Sequence, residues 1–291
     1  GGCHLGERTT RPHTIGLEKL GMRIARTEES YVVEAGECLG AHVTMYESSD
    51  TATENIIMAA VLARGNTTIT FASANYMVQD LCYFLVACGA KISGIGSTTL
   101  SIEGVSKLVP PEVYAPMPDP VDALAWISLA VATDSQLTVR GCPADFVELE
   151  MEYMRMMGQN FSVSDPYRSL SGHFTLIDVV VEPSRLSAIP DKLHPRPFPG
   201  MNTDAIPLFW PILVKAQGSS LVHDWMYEVR SVYALELKKL GADVELLDQH
   251  RVVFRGGKAL HGETISCVPA LRPGMALLIC MLAASGESKL T

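Results

Sequence analysis

Four times along the chain, a run of small and apolar residues at helical spacing is followed by a short β-like run. The instances begin at Ala52 (ATENIIMAAVLARGNTTITF), Asp122 (DALAWISLAVATDSQLTV), Asp204 (DAIPLFWPILVKAQGSSLV) and Pro273 (PGMALLICMLAASGESKL), at intervals of 70, 82 and 69 residues. A second pattern runs in step with the first, an amphipathic helix ending at glycine. It reads LEKLGMRI at 17–24, FLVACGAKI at 84–92, YMRMMGQNF at 153–161 and LKKLGADVE at 237–245. Its glycines Gly21, Gly89, Gly158 and Gly241 stand where a helix C-cap needs a left-handed residue. A pair of short strand-like runs follows each, for example KISGIG and then TTLSIEG. One unit therefore reads strand–helix–strand–helix–strand–strand, a period too long for a solenoid of short repeats. The expected class is α/β, built from several copies of one βαβαββ unit.

The second interval is the longest, and the extra residues fall near 165–200, where PYRSLSGH and PDKLHPRPFPG are loop-like. A second proline cluster, VPPEVYAPMPDP at 109–120, predicts a joint between two domains, 1–116 and 117–291. Both ends are expected to fall inside a unit, the chain opening with Gly1-Gly2-Cys3 rather than Met.

Composition narrows the class of function. Of 291 residues, 47% are hydrophobic and 19% charged, with mean hydropathy +0.18, which excludes a disordered chain. A formal net charge of −9 argues against a nucleic-acid-coating surface. Seven scattered cysteines without a CxxC pair support neither a disulfide scaffold nor a zinc site and predict a reducing, cytoplasmic compartment. No uncharged apolar run reaches membrane-spanning length. The longest apolar stretches, around 122–133 and 273–284, read as buried helices.

Ordinary catalytic motifs are absent: GxxxxGK[ST], HExxH and GxSxG do not occur, and GIGSTT at 94–99 lacks the third glycine of a dinucleotide loop. Three polar clusters remain. Gly1-Gly2-Cys3-His4-Leu5-Gly6-Glu7-Arg8-Thr9-Thr10-Arg11 places one thiol in a glycine-rich, mobile segment among arginines, where positive charge favours a reactive thiolate; the alternative is a structural cysteine. Asn202-Thr203-Asp204 opens the third apolar helix, so Asp204 is either a cap residue or a general base. Arg230 and Arg272 are either surface ion-pair residues or a pair gripping phosphate and carboxylate. Arg272 precedes the fourth apolar helix, whose N-terminus favours anions.

These residues resemble the UDP-N-acetylglucosamine 1-carboxyvinyltransferase family of enolpyruvyl transferases. GGCHLGERTTRPHTIGLEKLGM is similar to the family's Gly-Gly-Cys-x-x-Gly-x-Arg segment. The likeness continues through ATENIIMAAVLARGNTTI, FLVACGAKISGIGSTTLSIEGV, TDAIPLFWPILV, ELKKLGADVE and ALRPGMALLICMLAASG. It implies two inverted α/β barrels of repeated βαβαββ units with the active site in the cleft between them, and about one and a half units preceding this chain. It also implies transfer of the enolpyruvyl group from phosphoenolpyruvate to a sugar hydroxyl, without metal or organic cofactor, in cytoplasmic peptidoglycan synthesis. By position, Cys3 matches the proton donor alkylated by fosfomycin and Asp204 the residue that deprotonates the hydroxyl. Arg8 and Arg272 match arginines on the phosphate and carboxylate, and Arg230 a further cleft arginine with Met226 near it. Thr9-Thr10-Arg11 stands where the family has Pro-Val-Asp against the nucleotide base. Ser48, Ser49 and Asp50 fall where a basic residue and Val-Ser-Val-Gly cradle the diphosphate; here the run is Glu47-Ser48-Ser49-Asp50-Thr51. The carboxylates bear on which acceptor is used. Alternatives are another nucleotide, shikimate 3-phosphate, or a non-catalytic ligand-binding role. Shikimate 3-phosphate is the less favoured acceptor, because Tyr227-Glu228-Val229-Arg230 replaces the Lys-Glu-Ser-Asp-Arg-like run of its enzymes.

Overall fold

The computed structural model describes residues 3–6, 9–28, 30–34 and 36–291. The chain forms two compact units: Arg8–Met117 with Pro197–Pro199, and Gly1–Glu7 with Pro118–Arg196 and Gly200–Thr291.

In the first unit, helix α1 (Arg11–Lys19) precedes a hairpin of strands Arg23–Arg26 and Tyr31–Glu34. One whole βαβαββ unit follows. Strand His42–Thr44 leads through α2 (Asp50–Ala60) to Asn66–Thr70, which it pairs in parallel. Helix α3 (Tyr76–Ala87) then leads to strands Lys91–Ser93 and Thr99–Glu103, which close the sheet antiparallel. The spatial order is 42–44, 66–70, 99–103, 91–93. The alternating burial of Thr67, Ile69, Leu100 and Ile102 faces the apolar stripe of α2 (Ala52, Ile56, Ile57, Ala60), as strand and helix periods demand. The GIGSTT run is the turn of the last hairpin, with Gly94 and Gly96 at φ +81° and +84°.

The second unit contains the remaining repeats. Helices α4 (Pro120–Ala132), α6 (Ile206–Lys215) and α7 (Leu271–Ala283) are the predicted small-residue helices, and they pack on one another. Residues Ile206 through Val214 of α6 are all buried, as expected of a helix that is apolar on every side. The Ser128 hydroxyl of α4 donates to the Leu208 carbonyl of α6 at 2.6 Å. Around this centre lie a sheet of strands Leu137–Pro143, Thr175–Val181, Phe161–Val163 and Tyr167–Arg168, and a sheet of Gly218–His223, Arg251–Gly256 and Asp243–Leu246. Helix α5 (Ala144–Met156) packs on the first of these. Each repeat glycine has the left-handed conformation its position requires: φ is +96° at Gly21, +98° at Gly89, +101° at Gly158 and +91° at Gly241. One element departs from expectation. The segment before Gly241 is wound as a 3-10 helix over Arg230–Leu240, where Ser231, Val232 and Tyr233 are poor α-helix formers.

Candidate functional site

The third apolar helix begins with a 3-10 turn, Thr203–Ala205, directly before α6. Asn202 is its N-cap, with φ −60° and ψ 132°, and its side-chain oxygen accepts the Asp204 N–H at 2.9 Å. Capping by Asn202 leaves the Asp204 carboxylate free to point outward, with its side chain 34% exposed. One carboxylate oxygen lies 3.7 Å from Arg230 Nη1 and the other 3.5 Å from Arg272 Nε.

The two arginines differ in kind. Arg230 is 1% exposed, although its charge suggests a surface ion pair or a substrate contact. Its Nε and Nη2 bind both oxygens of Asp224, itself fully buried, and Nη2 also donates to the Thr203 carbonyl (2.8 Å) and hydroxyl (2.9 Å). The Tyr227 ring lies 4.3 Å from the guanidinium carbon. Only Nη1 is directed at Asp204. Burial pushes the Asp224 carboxyl up, and the bidentate arginine opposes this. Arg272, in the first turn of α7, is only partly buried and holds Asp204 by a single loose contact. That contact is the one an incoming anion can replace at small cost.

Cys3 lies at the start of the same helix. Its Sγ accepts the Leu271 N–H at 3.3 Å, one residue before Arg272. The segment is fastened there by backbone contacts: His4 N–H to the Pro269 carbonyl at 2.9 Å, and the Tyr233 hydroxyl to the His4 carbonyl at 2.6 Å. Gly6, at φ +101°, passes so close to Glu228 that a Cβ would come within 2.7 Å of its carboxylate. Only glycine fits on both counts. These contacts group the opening residues with the second unit rather than with the residues that follow them in sequence. Arg8 lies outside the described residues.

Met226 is exposed. Cys3, Asp204, Arg230 and Arg272 thus belong to one unit. Thr9, Thr10, Arg11, Ser48, Ser49 and Asp50 belong to the other, where they serve two helix starts. The Thr9 hydroxyl accepts the Arg11 N–H at 3.2 Å, and the Thr10 hydroxyl bonds the Tyr31 hydroxyl at 2.6 Å. Ser48 is exposed, and Ser49 caps α2. Both oxygens of Asp50 are occupied, one by the Ser73 hydroxyl and one by the Asn75 amide at 3.0 Å. Asp50 thereby ties the start of α2 to the start of α3.

Glu150 and Asp224 around Asp204 are additions from the structure, as is the hold of Thr203 on Arg230. Glu150 left a trace in the sequence, an acid on the face of α5 otherwise made by Phe146, Val147, Met151 and Met154. Among the described residues no group of three or more His, Cys, Asp or Glu could hold a metal ion, and no helix is long and apolar enough to cross a membrane.

Known proteins resemble this chain in sequence and in fold. The sequence matches the family described as EPSP synthase (3-phosphoshikimate 1-carboxyvinyltransferase) over residues 1–291. It is 36% identical over 290 residues to a UDP-N-acetylglucosamine 1-carboxyvinyltransferase of Borreliella burgdorferi, covering 100% of this chain and 66% of that protein. It is 31% identical over 289 residues to the enzyme of that name from Thermodesulfovibrio yellowstonii, covering 99% and 66%. The chain thus spans about two thirds of the length of these relatives. In fold it is similar to the enolpyruvyl transferase NikO from Streptomyces tendae, with TM-score 0.81, 20% identity, and 97% of this chain and 67% of that one covered. It is also similar to an EPSP synthase from Acinetobacter baumannii, with TM-score 0.69, 18% identity and coverage of 97% and 66%.

Proposed function

Since the chain belongs to the EPSP synthase (3-phosphoshikimate 1-carboxyvinyltransferase) family, we propose that it transfers the enolpyruvyl group of phosphoenolpyruvate to the 3-hydroxyl of UDP-N-acetylglucosamine, releasing phosphate. The product would serve peptidoglycan synthesis in the cytoplasm. The observation that carries this reading is a carboxylate, Asp204, at the start of α6, held between Arg230 and Arg272, with Cys3 fastened beside Arg272 at the start of α7.

The chemistry asks for such a set. Phosphoenolpyruvate brings a phosphate and a carboxylate that must be held and oriented. Arg272 turns from its loose contact with Asp204 toward that anion, joined by Arg8. The Cys3 thiol gives its proton to the methylene carbon. Asp204 takes the proton of the acceptor hydroxyl as its oxygen bonds to the adjacent carbon. The tetrahedral adduct then returns a methyl proton to the Cys3 thiolate and expels phosphate, restoring the thiol and the double bond, now on the acceptor. Arg230 stays in place throughout, because its charge is committed to Asp224 and its role is to hold Asp204 on one side.

A second reading keeps the reaction and changes the acceptor. It is favoured by Glu47 and Asp50, which stand where the resemblance expects a diphosphate cradle. Asp50, hydrogen-bonded by Ser73 and Asn75, adds a second carboxylate beside that of Glu47, and like charges repel. The test is phosphate release by the full-length protein with phosphoenolpyruvate and, separately, UDP-N-acetylglucosamine, UMP or shikimate 3-phosphate. Release with the first alone supports the leading reading; release only with another acceptor replaces it by the second. No release with any of them removes both and leaves a ligand-binding role.

A further inference from the structure

Glu150 is a carboxyl in an expensive place. It is 3% exposed, on the face of α5 whose other members are Phe146, Val147, Met151 and Met154. Among the described residues no cation pairs with it, and burial pushes its pKa up. An aliphatic side chain would suit that environment better unless the acceptor is needed. The acceptor has one distinct use, because Glu150 Oε1 receives the backbone N–H of Asn202 at 3.0 Å.

Asn202 is thereby held at three points. Its N–H is taken by Glu150, its side-chain oxygen accepts the Asp204 N–H at 2.9 Å, and its carbonyl accepts the Ala205 N–H at 3.0 Å. Those bonds define the 3-10 turn that carries Asp204, and the turn sets where the carboxylate stands between the two arginines. Buried side chains lock the direction of a reacting group better than exposed ones do.

We infer that Glu150 is a positioning residue for Asp204, acting through the backbone of Asn202 to fix the carboxylate against Arg230 and Arg272. The catalytic consequence rests on the enolpyruvyl-transfer reading; the structural bracing does not.

The experiment uses the full-length protein and two substitutions, Glu150→Leu, which removes the acceptor, and Glu150→Gln, which keeps it. With whichever acceptor supports phosphate release, Glu150→Leu is expected to lower kcat roughly 10- to 100-fold, as small misplacements of a reacting group do. KM values should stay within about threefold, and Glu150→Gln should restore kcat to within about threefold of the parent. On an Asp204→Asn background, Glu150→Leu should cause no further loss, because the residues act as one chain. The same loss on both backgrounds, a Gln variant as slow as Leu, or an unchanged kcat overturns the proposal. Amide hydrogen exchange of a peptide covering 200–206, without substrate, reads the brace directly. Exchange should quicken in Glu150→Leu and match the parent in Glu150→Gln; unchanged exchange in the Leu variant overturns the proposal. If no acceptor gives turnover, the function reading fails, and the exchange result still decides the brace. If Glu150→Leu does not fold, Glu150→Asp keeps a carboxyl on α5 but is one methylene too short to reach the Asn202 N–H. It should then lower kcat on the parent background but not on Asp204→Asn, and quicken exchange; a parent-like kcat or exchange rate overturns the proposal.

Discussion

The four repeated apolar helices begin in two different ways. At α2 and α4 the first turn is closed by its own side chains: Ser49 accepts the Ala52 N–H, and Asp119 accepts the Val121 N–H at 2.8 Å. The neighbouring Asp50 is used up by Ser73 and Asn75. At α6 capping has passed to Asn202, so Asp204 faces two guanidinium groups. At α7 the cap position is Ala270, which offers no side-chain acceptor, and the Cys3 sulfur accepts the first helical N–H instead. The same supersecondary start thus serves as a staple in two copies and, under the proposed function, as a chemical site in two others. An acid near a helix start is left for chemistry only where neither capping nor a neighbouring hydrogen bond uses it.

Substitutions at these starts should separate the two classes. The largest effect is expected from Asp204→Asn. Removing a general base typically costs about 10²- to 10⁴-fold in kcat, so phosphate release should fall by that order while thermal unfolding stays near the parent. An active Asp204→Asn variant would place Asp204 with the staples.

Asp224→Asn comes next and acts on stability. It leaves the buried Arg230 guanidinium without its counter-charge, and breaking a buried pair costs about 3–5 kcal/mol. Urea unfolding should show that loss, with turnover lost as well. A shift below about 1 kcal/mol, the size of an exposed pair, would mean that Arg230 is not held by Asp224.

Asp119→Ala removes a staple. About 1 kcal/mol of stability should be lost, the usual size of an N-cap, with kcat unchanged; a large fall in kcat would erase the distinction between the two classes.

The mildest test is chemical. Burial pushes the Cys82 thiol up to about 12 and the Cys142 thiol up to about 11, and raises that of Cys280 as well. At pH 8 a thiol of pKa 11 is about one thousandth thiolate. These three should therefore stay unmodified under fosfomycin while Cys3 is alkylated, faster with nucleotide present. Peptide mass mapping reads this. Modification spread evenly over the cysteines would remove Cys3 from the site.

Much of this organisation was legible before any coordinates. Helix boundaries, hairpins and left-handed glycines follow from local rules: the side-chain period, the cap chemistry, and the freedom of glycine at positive φ. Hence the repeat glycines stood out, and Cys3, Asp204 and Arg272 could be singled out as polar residues at glycine-rich or helix-start positions. Arg230 was legible as a residue but not in its state, because an arginine in a strand-to-helix connection reads as exposed until the Asp224 that buries it is seen. Asp224, six residues earlier, looks like an ordinary strand-end acid.

The sequence by itself determined the βαβαββ repeat, the apolar helices at its centre and the small set of polar residues that are candidates for chemistry. Only the tertiary structure decided how those residues are paired. It bound Arg230 to Asp224, spent Asp50 on a neighbouring helix start, set Cys3 on α7 and placed Glu150 behind Asn202. The physical reason is range. Capping and periodicity act within a few residues and leave a pattern in the chain, whereas Glu150 and Asn202, 52 residues apart, meet only once the core has closed around them.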